Sequence, residues 1–334
     1  MIVLVTGGAG FIGLNLLRLL LRVPDCEIRV LDDFSNSSPE RITQVVSASQ
    51  GGAGRVRVIR ADITNASSLN GVTDGVDAIV HLAAQTGVIL SLANARRDME
   101  QNIIGTFNML EACRTAKIRR FVHASSAAVL GNVRPPQHED MPSRPLVPYA
   151  ASKAAGESYC KAYHHSFGIE TIALRFSNVY GPLSWNKGSV VAKFLKGVLA
   201  GEPLVVNGDG TQTRDFIYVE DLARILVQAV QSSLDPALLG GACNIATGVQ
   251  TQVIDLAHAV CAAFAARERQ CRVEFGPPLI GDTLVSAPTT DRRKHLFPDA
   301  TFCSIAEGLP TTIDWFLAHW PSRAKTGLPT NVAE

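Results

Sequence analysis

Tyr149 and Lys153 stand four residues apart in the string Pro-Tyr-Ala-Ala-Ser-Lys, which ends at position 153. On a helix that spacing places both side chains on one face. A phenol titrates near about 10 and is a poor base at neutral pH. A neighbouring positive charge favours the phenolate and lowers that value. Such a pair removes the proton from an alcohol or sugar hydroxyl while hydride leaves the same carbon. The spacing also occurs on ordinary surface helices, so the chemistry needs a hydride acceptor and a further polar partner elsewhere in the chain.

The segment Thr6-Gly-Gly-Ala-Gly-Phe-Ile-Gly13 offers the acceptor a place. Gly7, Gly10 and Gly13 follow an apolar strand pattern and open a helical one. Glycines there permit a tight turn and let pyrophosphate approach bare backbone, with the helix N-terminus facing its charge. Asp32 ends the second strand pattern, nineteen residues past Gly13. A carboxylate at that point hydrogen-bonds the adenosine ribose hydroxyls and repels a 2′-phosphate, which favours NAD over NADP. Asp33 adds a second negative charge, and Asp62-Ile63, at the end of a later strand, suits an adenine edge. A cationic nicotinamide bound beside Tyr149 would lower the phenol pKa further.

The elements that must position these residues read from periodicity. Residues 2–6, 27–31, 56–61, 78–82, 121–125, 170–176 and 242–246 read as strands. Residues 11–22, 102–116, 149–167 and 221–232 read as helices. Short apolar strands between helices predict a parallel sheet covered on both faces. The fold class is therefore α/β: a Rossmann-type doubly wound parallel sheet with a smaller α/β substrate-binding lobe. The sheet domain comprises 1–177 plus 212–246, and the lobe 178–211 plus 247–330, with helices near 189–200 and 252–266. The lobe packs over the C-terminal edge of the sheet, where ligands of open α/β folds bind. The tail 321–334 is polar and aperiodic, and is expected to be mobile.

Composition narrows the function. The 334 residues are 46% hydrophobic and 18% charged, with net charge +1 and no basic block, so neither nucleic acid nor a membrane surface is an expected partner. The N-terminus enters a strand directly, without a signal-peptide pattern. The apolar run 14–21 is too short to span a bilayer and contains Arg18. Seven cysteines (26, 113, 160, 243, 261, 271, 303) form no C-x-x-C pair and read as buried free thiols. His164 and His165 lack partners at ligand spacing, so no metal site is expected. A cytoplasmic location is expected.

Together these features resemble the extended short-chain dehydrogenase/reductases, in particular the NAD-dependent nucleotide-sugar epimerases and dehydratases, along almost the whole chain. The strings that carry the resemblance are TGGAGFIG (6–13), HLAAQ (81–85), NIIGTFNMLEA (102–112), SSAAVLG (125–131), YAASK (149–153), RFSNVYGP (175–182) and GDGTQTRDFIYVEDLA (208–223). The resemblance implies that Ser126 hydrogen-bonds the reacting oxygen, that Tyr149 is the general acid/base, and that Lys153 holds the nicotinamide ribose. Ser125 is the competing serine, since either hydroxyl can instead cap the loop. The NAD set it implies is Gly7, Gly10, Phe11, Ile12, Gly13, Asp32, Asp33, Asn36, Asp62, Ile63, Leu82, Ala83, Ala84, Asn102, Tyr149 and Lys153. Asn178, Arg214 and Ser91 would contact the nucleotide-sugar, Arg214 as a diphosphate-binding cation and Ser91 from the loop after the fourth strand. Paired helices 102–116 and 149–167 imply a homodimer.

The same comparison speaks to the reaction. Dehydratases and many decarboxylases of this family place carboxylates beside the catalytic hydroxyl, where this chain has Ala127 and Ala128. Without an extra acid/base, the expected chemistry is reversible oxidation at one carbon: epimerisation at C4 through a transient 4-keto sugar. UDP-glucose/UDP-galactose or a UDP-N-acetylhexosamine is the expected substrate class. The alternatives are a dehydratase, decarboxylase or ketoreductase, or a non-catalytic NAD sensor. Three departures stand out. Leu130 replaces a common tyrosine and would change a wall near the site. Leu279-Ile-Gly-Asp282 lacks a usual second diphosphate arginine, leaving Arg292 or Arg293 as substitutes. Leu183-Ser-Trp185 lacks the arginine that uronate epimerases carry. Ser286 aligns with a residue that gates substrate size, and its small side chain would admit an N-acetyl group.

Overall fold

The computed structural model describes residues 1–324 apart from 50, 53 and 279–282, with side chains described to residue 320. The first part of the chain runs β1 (Ile2–Thr6), α1 (Phe11–Leu20), β2 (Glu27–Asp32), α2 (Pro39–Ser47), β3 (Val56–Arg60), β4 (Ala78–His81), α3 (Val88–Ala93), α4 (Ala95–Met99), α5 (Gly105–Thr115), β5 (Arg120–Ser126), α6 (Pro148–Phe167) and β6 (Glu170–Phe176). The second runs β7 (Asn178–Tyr180), α7 (Val190–Ala200), β8 (Leu204–Asn207), β9 (Thr213–Arg214), β10 (Phe216–Tyr218), α8 (Val219–Gln231), β11 (Ala242–Ile245), β12 (Thr251–Gln252), α9 (Val253–Ala265), β13 (Val273–Gly276), α10 (Asp291–Leu296) and α11 (Ile305–Ala324).

Among the described residues, a seven-stranded sheet has the order β11-β6-β5-β4-β1-β2-β3. Every neighbouring pair in it is parallel. The chain starts in the middle and builds outward both ways, so the direction of winding reverses between β1 and β4. A crevice opens there at the strands' C-terminal ends. Val3, Leu4 and Val5 are buried because helices cover both faces, which is why the strand reads as an unbroken apolar run. On α1, Phe11, Leu14, Leu16, Leu17 and Leu20 are all buried. Each such leucine contributes roughly 1.5–3 kcal/mol relative to an exposed one.

A second core gathers Val191, Phe194 and Leu195 of α7, Leu256, Val260 and Phe264 of α9, and Ile313 and Phe316 of α11. It carries three two-stranded ladders: β10 with β7, β12 with β9, and β13 with β8. Leu296 and Phe297, by contrast, pack into the core of the large sheet.

Four expectations are corrected. Residues Glu100–Ile104 form a π-helical turn ahead of α5, where a regular helix was expected from 102. Position 91 lies within α3 and not in a loop. The helix α11 runs to residue 324, so the first four residues of the expected mobile tail are helical, while the remainder lies outside the described residues. Cys261 and Cys271 are joined as a disulfide, bridging α9 to the segment before β13. Cys26, Cys113, Cys160 and Cys243 are buried thiols and Cys303 is half-buried. Among the described residues no helix is long and apolar enough to cross a membrane, and no cluster of three or more His, Cys, Asp or Glu could hold a metal ion.

Candidate active site

The glycine turn between β1 and α1 is closed tightly enough to exclude side chains. A Cβ on Gly7, whose φ is +65°, would lie 2.7 Å from the Ala83 nitrogen, and one on Gly13 would lie 2.5 Å from Gly8 Cα. The N-cap of α1 is Gly10, with no side-chain cap, so the first helical turn, beginning at Phe11 and Ile12, presents backbone alone. Bare donors at a helix N-terminus suit a pyrophosphate. Asp32 knits this turn to the loop after β2: its carboxylate accepts from Ala9 N at 3.0 Å, Phe34 N at 2.9 Å and Ser37 Oγ at 3.1 Å. An ionised carboxylate has about four acceptor positions, so capacity remains for a ribose hydroxyl. Asp33 is turned to Ser35, and Asn36 is exposed. Asp62 lies two residues past β3 and accepts from Thr64 N, with Ile63 buried beside it. These residues fit a dinucleotide.

Ser126, the last residue of β5, and Tyr149, in the first turn of α6, come close enough for the serine hydroxyl to act on the phenol's pKa. Burial pushes the Tyr149 phenol up to about 12; the Ser126 hydroxyl pulls it down, and the Asp98 carboxylate raises it further. The expected lowering by Lys153 is therefore not a property of the protein's own groups. The Lys153 ammonium lies 5.9 Å from the phenol ring centroid and donates to Ala124 O at 3.0 Å. Burial brings Lys153 down to about 8, against the favourable field of Asp98.

The two serines have separate tasks. Ser125 is buried, and its hydroxyl donates to Glu157 Oε1 at 2.5 Å. Glu157 also holds Arg175 through Nε at 2.8 Å and Nη2 at 2.7 Å. Removing one partner of such a buried pair costs about 3–5 kcal/mol. Ser126 accepts from Ala128 N at 3.2 Å and is half-buried, so it both caps the short 3-10 turn and faces the phenol.

The loop after β4 is set by a buried relay. Ala83 N donates to Thr6 Oγ1, which pairs with His81 Nδ1 at 2.8 Å; His81 Nε2 pairs with Thr106 Oγ1, and Thr106 donates to Asn102 O at 2.6 Å. Because the Thr106 proton is committed, His81 carries its proton on Nε2 and accepts on Nδ1. Burial first, then the nearby Lys153, depress its pKa to about 3, so the ring stays neutral. Asn102 is fully buried. Its Oδ1 accepts from Gln85 N, and its Nδ2 contacts Gln85 O, Asp98 Oδ2 and Ser152 Oγ, each at 3.0 Å. It shapes the loop that carries Leu82, Ala83 and Ala84 and offers no atom of its own.

On the substrate side, Asn178 at the start of β7 and Arg214 at the end of β9 are both half-buried. Arg214 Nη1 donates to Thr213 O at 2.6 Å. Ser286 N donates to Thr213 O at 3.2 Å, which brings the size-gate candidate beside Arg214. Four expectations fare differently. Ser91 is fully buried, with its hydroxyl on Val88 O at 2.8 Å, so it is not presented at the crevice. Leu130 is buried and forms no open wall. Arg292 is committed to Asp140 by two 2.8 Å contacts and to Ala242 O. Arg293 is buried with its guanidinium over Phe302 at 4.3 Å. Neither arginine substitutes for a diphosphate ligand, because each is spent on the fold. The Leu279–Asp282 string lies outside the described residues.

Two residues were missed by sequence reading. Asp98 is buried on α4, and one carboxylate oxygen has no protein partner; only its position four residues before Asn102 hinted at it. Lys187 lies in the loop after Pro182 and donates to Thr86 Oγ1 at 3.1 Å; no motif marks it.

A glycine turn that fits a dinucleotide, beside Ser126, Tyr149 and Lys153, is the arrangement of a nicotinamide-dependent oxidoreductase-type fold on a Rossmann-type sheet. Residues 3–246 match the model of the NAD dependent epimerase/dehydratase family. The chain belongs to that family. It is 34% identical over 319 residues to the UDP-glucose 4-epimerase of Mycolicibacterium smegmatis, a match covering 94% of this chain and 97% of the relative. Its fold matches a Thermus thermophilus UDP-glucose 4-epimerase solved with NAD, at TM-score 0.81 and 32% identity, covering 95% of this chain and 99% of that one. It also matches a Streptomyces venezuelae dTDP-glucose 4,6-dehydratase solved with NAD, at TM-score 0.86 and 29% identity, covering 96% and 98%.

Proposed function

We propose that this protein is an NAD-dependent nucleotide-sugar 4-epimerase acting on a UDP-hexose. The observation that carries the reading is the approach of Tyr149 to Ser126, beside a turn whose next residues are Ala127 and Ala128. An elimination needs a second acid/base at that point, and alanine cannot supply one. Bound NAD supplies the hydride acceptor, and afterwards the donor, at the sugar carbon. Ser126 holds the reacting oxygen while Tyr149 takes its proton, and the same phenol returns that proton after the 4-keto sugar has turned its other face. Lys153 lies one helical turn behind the phenol, placed to hold the nicotinamide ribose. The protein's own groups keep the phenol protonated, so the drop in its pKa is assigned to the positive charge of oxidised nicotinamide.

The sheet with 1–177 and 212–246 holds the dinucleotide in this reading, and 178–211 with 247–330 holds the nucleotide-sugar, with Asn178 and Arg214 toward its diphosphate. Ser286 beside that arginine supports a pocket that admits an N-acetyl group. Ile104, Phe107, Tyr159 and Phe167 are exposed on α6 and the helical run ahead of and within α5, and Phe107 meets Tyr159 edge-on at 5.7 Å. Exposed apolar residues gathered on neighbouring helices suit a homodimer interface. A cytoplasmic location is part of the same reading.

The test is incubation of purified protein with UDP-, dTDP-, GDP- and CDP-sugars without added cofactor. An isomer of unchanged mass is the expected product. Loss of water or carbon dioxide would replace this reading with dehydration or decarboxylation. Absence of turnover with NAD still bound would make the protein a sensor. Comparing UDP-N-acetylglucosamine with UDP-glucose tests the Ser286 reading, which a strong preference for UDP-glucose would overturn.

A further inference from the structure

The loop 183–188 is tied to the loops on either side of the end of β1. In the order β4-β1-β2 the glycine turn leaves the middle strand, flanked by the loop after β4 and the loop after β2. Asn186 Nδ2 donates to Asn36 O, in the β2 loop, at 2.8 Å. The next residue, Lys187, sends its Nζ to Thr86 Oγ1, in the β4 loop, at 3.1 Å. Those loops belong to strands two places apart, about 10 Å across the sheet. Two successive residues thus reach the loops on both sides of the glycine turn.

The base of this segment is fastened to the same domain. Pro182 O accepts from Asn15 Nδ2 of α1 at 3.1 Å, and Leu183 O accepts from Arg41 Nη2 of α2 at 2.9 Å. Leu183 has φ +70°, a left-handed conformation that a leucine keeps only where its surroundings hold it. Ser184 Oγ donates to Gly181 O at 2.7 Å, and Lys187 N closes a turn onto Ser184 O at 2.9 Å.

Lys187 forms no ion pair with any described carboxylate, and burial lowers its pKa. It is close enough to Lys153 to oppose that residue's charge. Two ammonium groups and the positive end of α1 therefore converge on one crevice, and a diphosphate is the group that balances them. NAD and a sugar nucleotide each carry one. The tethers to Asn36 and Thr86, which straddle the glycine turn, favour the cofactor. We propose that Lys187 is a pyrophosphate-binding residue for NAD and that the 183–188 segment is a strap that holds the dinucleotide against the glycine turn.

The test is titration of full-length Lys187→Met and Lys187→Arg with NAD, adenosine and UDP by calorimetry, with melting curves taken without ligand. A charge-assisted contact of this kind is worth about 10- to 100-fold in affinity. Lys187→Met is expected to weaken NAD by at least about tenfold, leaving adenosine, which lacks phosphate, and UDP unchanged. Lys187→Arg is expected to stay within about threefold of the parent because it keeps the cation. Unchanged NAD affinity in the methionine variant, or a loss for UDP equal to or greater than that for NAD, would overturn the proposal. Should Lys187→Met fail to fold, Thr86→Val frees the lysine without removing its charge. That variant is expected to release NAD about three to ten times faster, and an unchanged release rate would equally defeat the idea.

Discussion

Lys153 lies behind Tyr149 without touching its hydroxyl: the ammonium is 5.9 Å from the phenol ring centroid and bonded to Ala124 O. The two residues share a helix face, but in the protein alone they do not share a proton. The phenol stands at about 12 and the lysine at about 8, each displaced toward its neutral form chiefly by burial.

Tyr149→Phe is expected to lower kcat by about 10²- to 10⁴-fold, with NAD affinity within about threefold of the parent. Near-ultraviolet phenolate absorbance, referenced to this variant, should show the Tyr149 pKa falling when NAD is added. Retained turnover would remove Tyr149 from the acid/base role.

Ser126→Ala and Ser125→Ala should separate. The first removes the hydroxyl nearest the phenol and is expected to reduce kcat with little change in melting temperature. The second leaves a Glu157 oxygen short of a buried donor and is expected to destabilise the fold by about 1–3 kcal/mol. Chemical denaturation alongside kinetics distinguishes them, and a larger kcat loss for Ser125→Ala would exchange their assignments.

Acid stability follows from His81 and His123. His81 is held at about 3, and His123, whose two ring nitrogens are buried without protein partners, is also held well below the ordinary value. Between about pH 6.5 and the folded values the unfolded chain binds protons that the native state refuses. Stability contributed by the neutral rings is therefore present above about pH 6.5 and declines as pH falls toward about 3. Lys153 acts in the alkaline range: its folded value is depressed, so stability should rise from about pH 8 toward the unfolded lysine value. His123→Phe should flatten the acid limb of a melting-temperature profile, and an unaltered limb would discount His123.

Gly156 sits directly over His123. A Cβ there would lie 2.5 Å from the imidazole Nε2, within a helix that alanine would otherwise favour. Gly156→Ala is expected to destabilise the protein by about 1–3 kcal/mol through overpacking and to slow turnover, since Lys153 is three residues away. Increased stability would show that α6 can shift without consequence.

The Cys261–Cys271 disulfide closes a loop with a sequence separation of 10 residues. In the chain-entropy account it adds about 2–3 kcal/mol when formed, whereas a reducing cytoplasm would keep the pair as thiols. Cys261→Ser should lower the melting temperature under oxidising conditions and leave it unchanged in reductant. Equal melting in both conditions would discount the bridge.

Periodicity and glycine chemistry made the sheet, the cofactor turn and the Tyr149–Lys153 face legible in the sequence, because each is a local pattern of a few residues. Asp32 was legible for the same reason: its distance from the glycines is fixed by one helix and one strand. The roles of Ser125 and Ser126 were not, since adjacent strand residues point opposite ways and only Glu157, from a distant helix, shows which is buried. Arg292 and Arg293 looked available as phosphate ligands until packing committed them to Asp140 and Phe302. Lys187 carries no motif at all. Its reach to Thr86, in the loop after β4, is an adjacency between residues about one hundred apart that only the tertiary fold creates. Local spacing determined what chemistry this chain carries, whereas long-range packing decided which side chains face it, because burial and partner choice are properties of the assembled core.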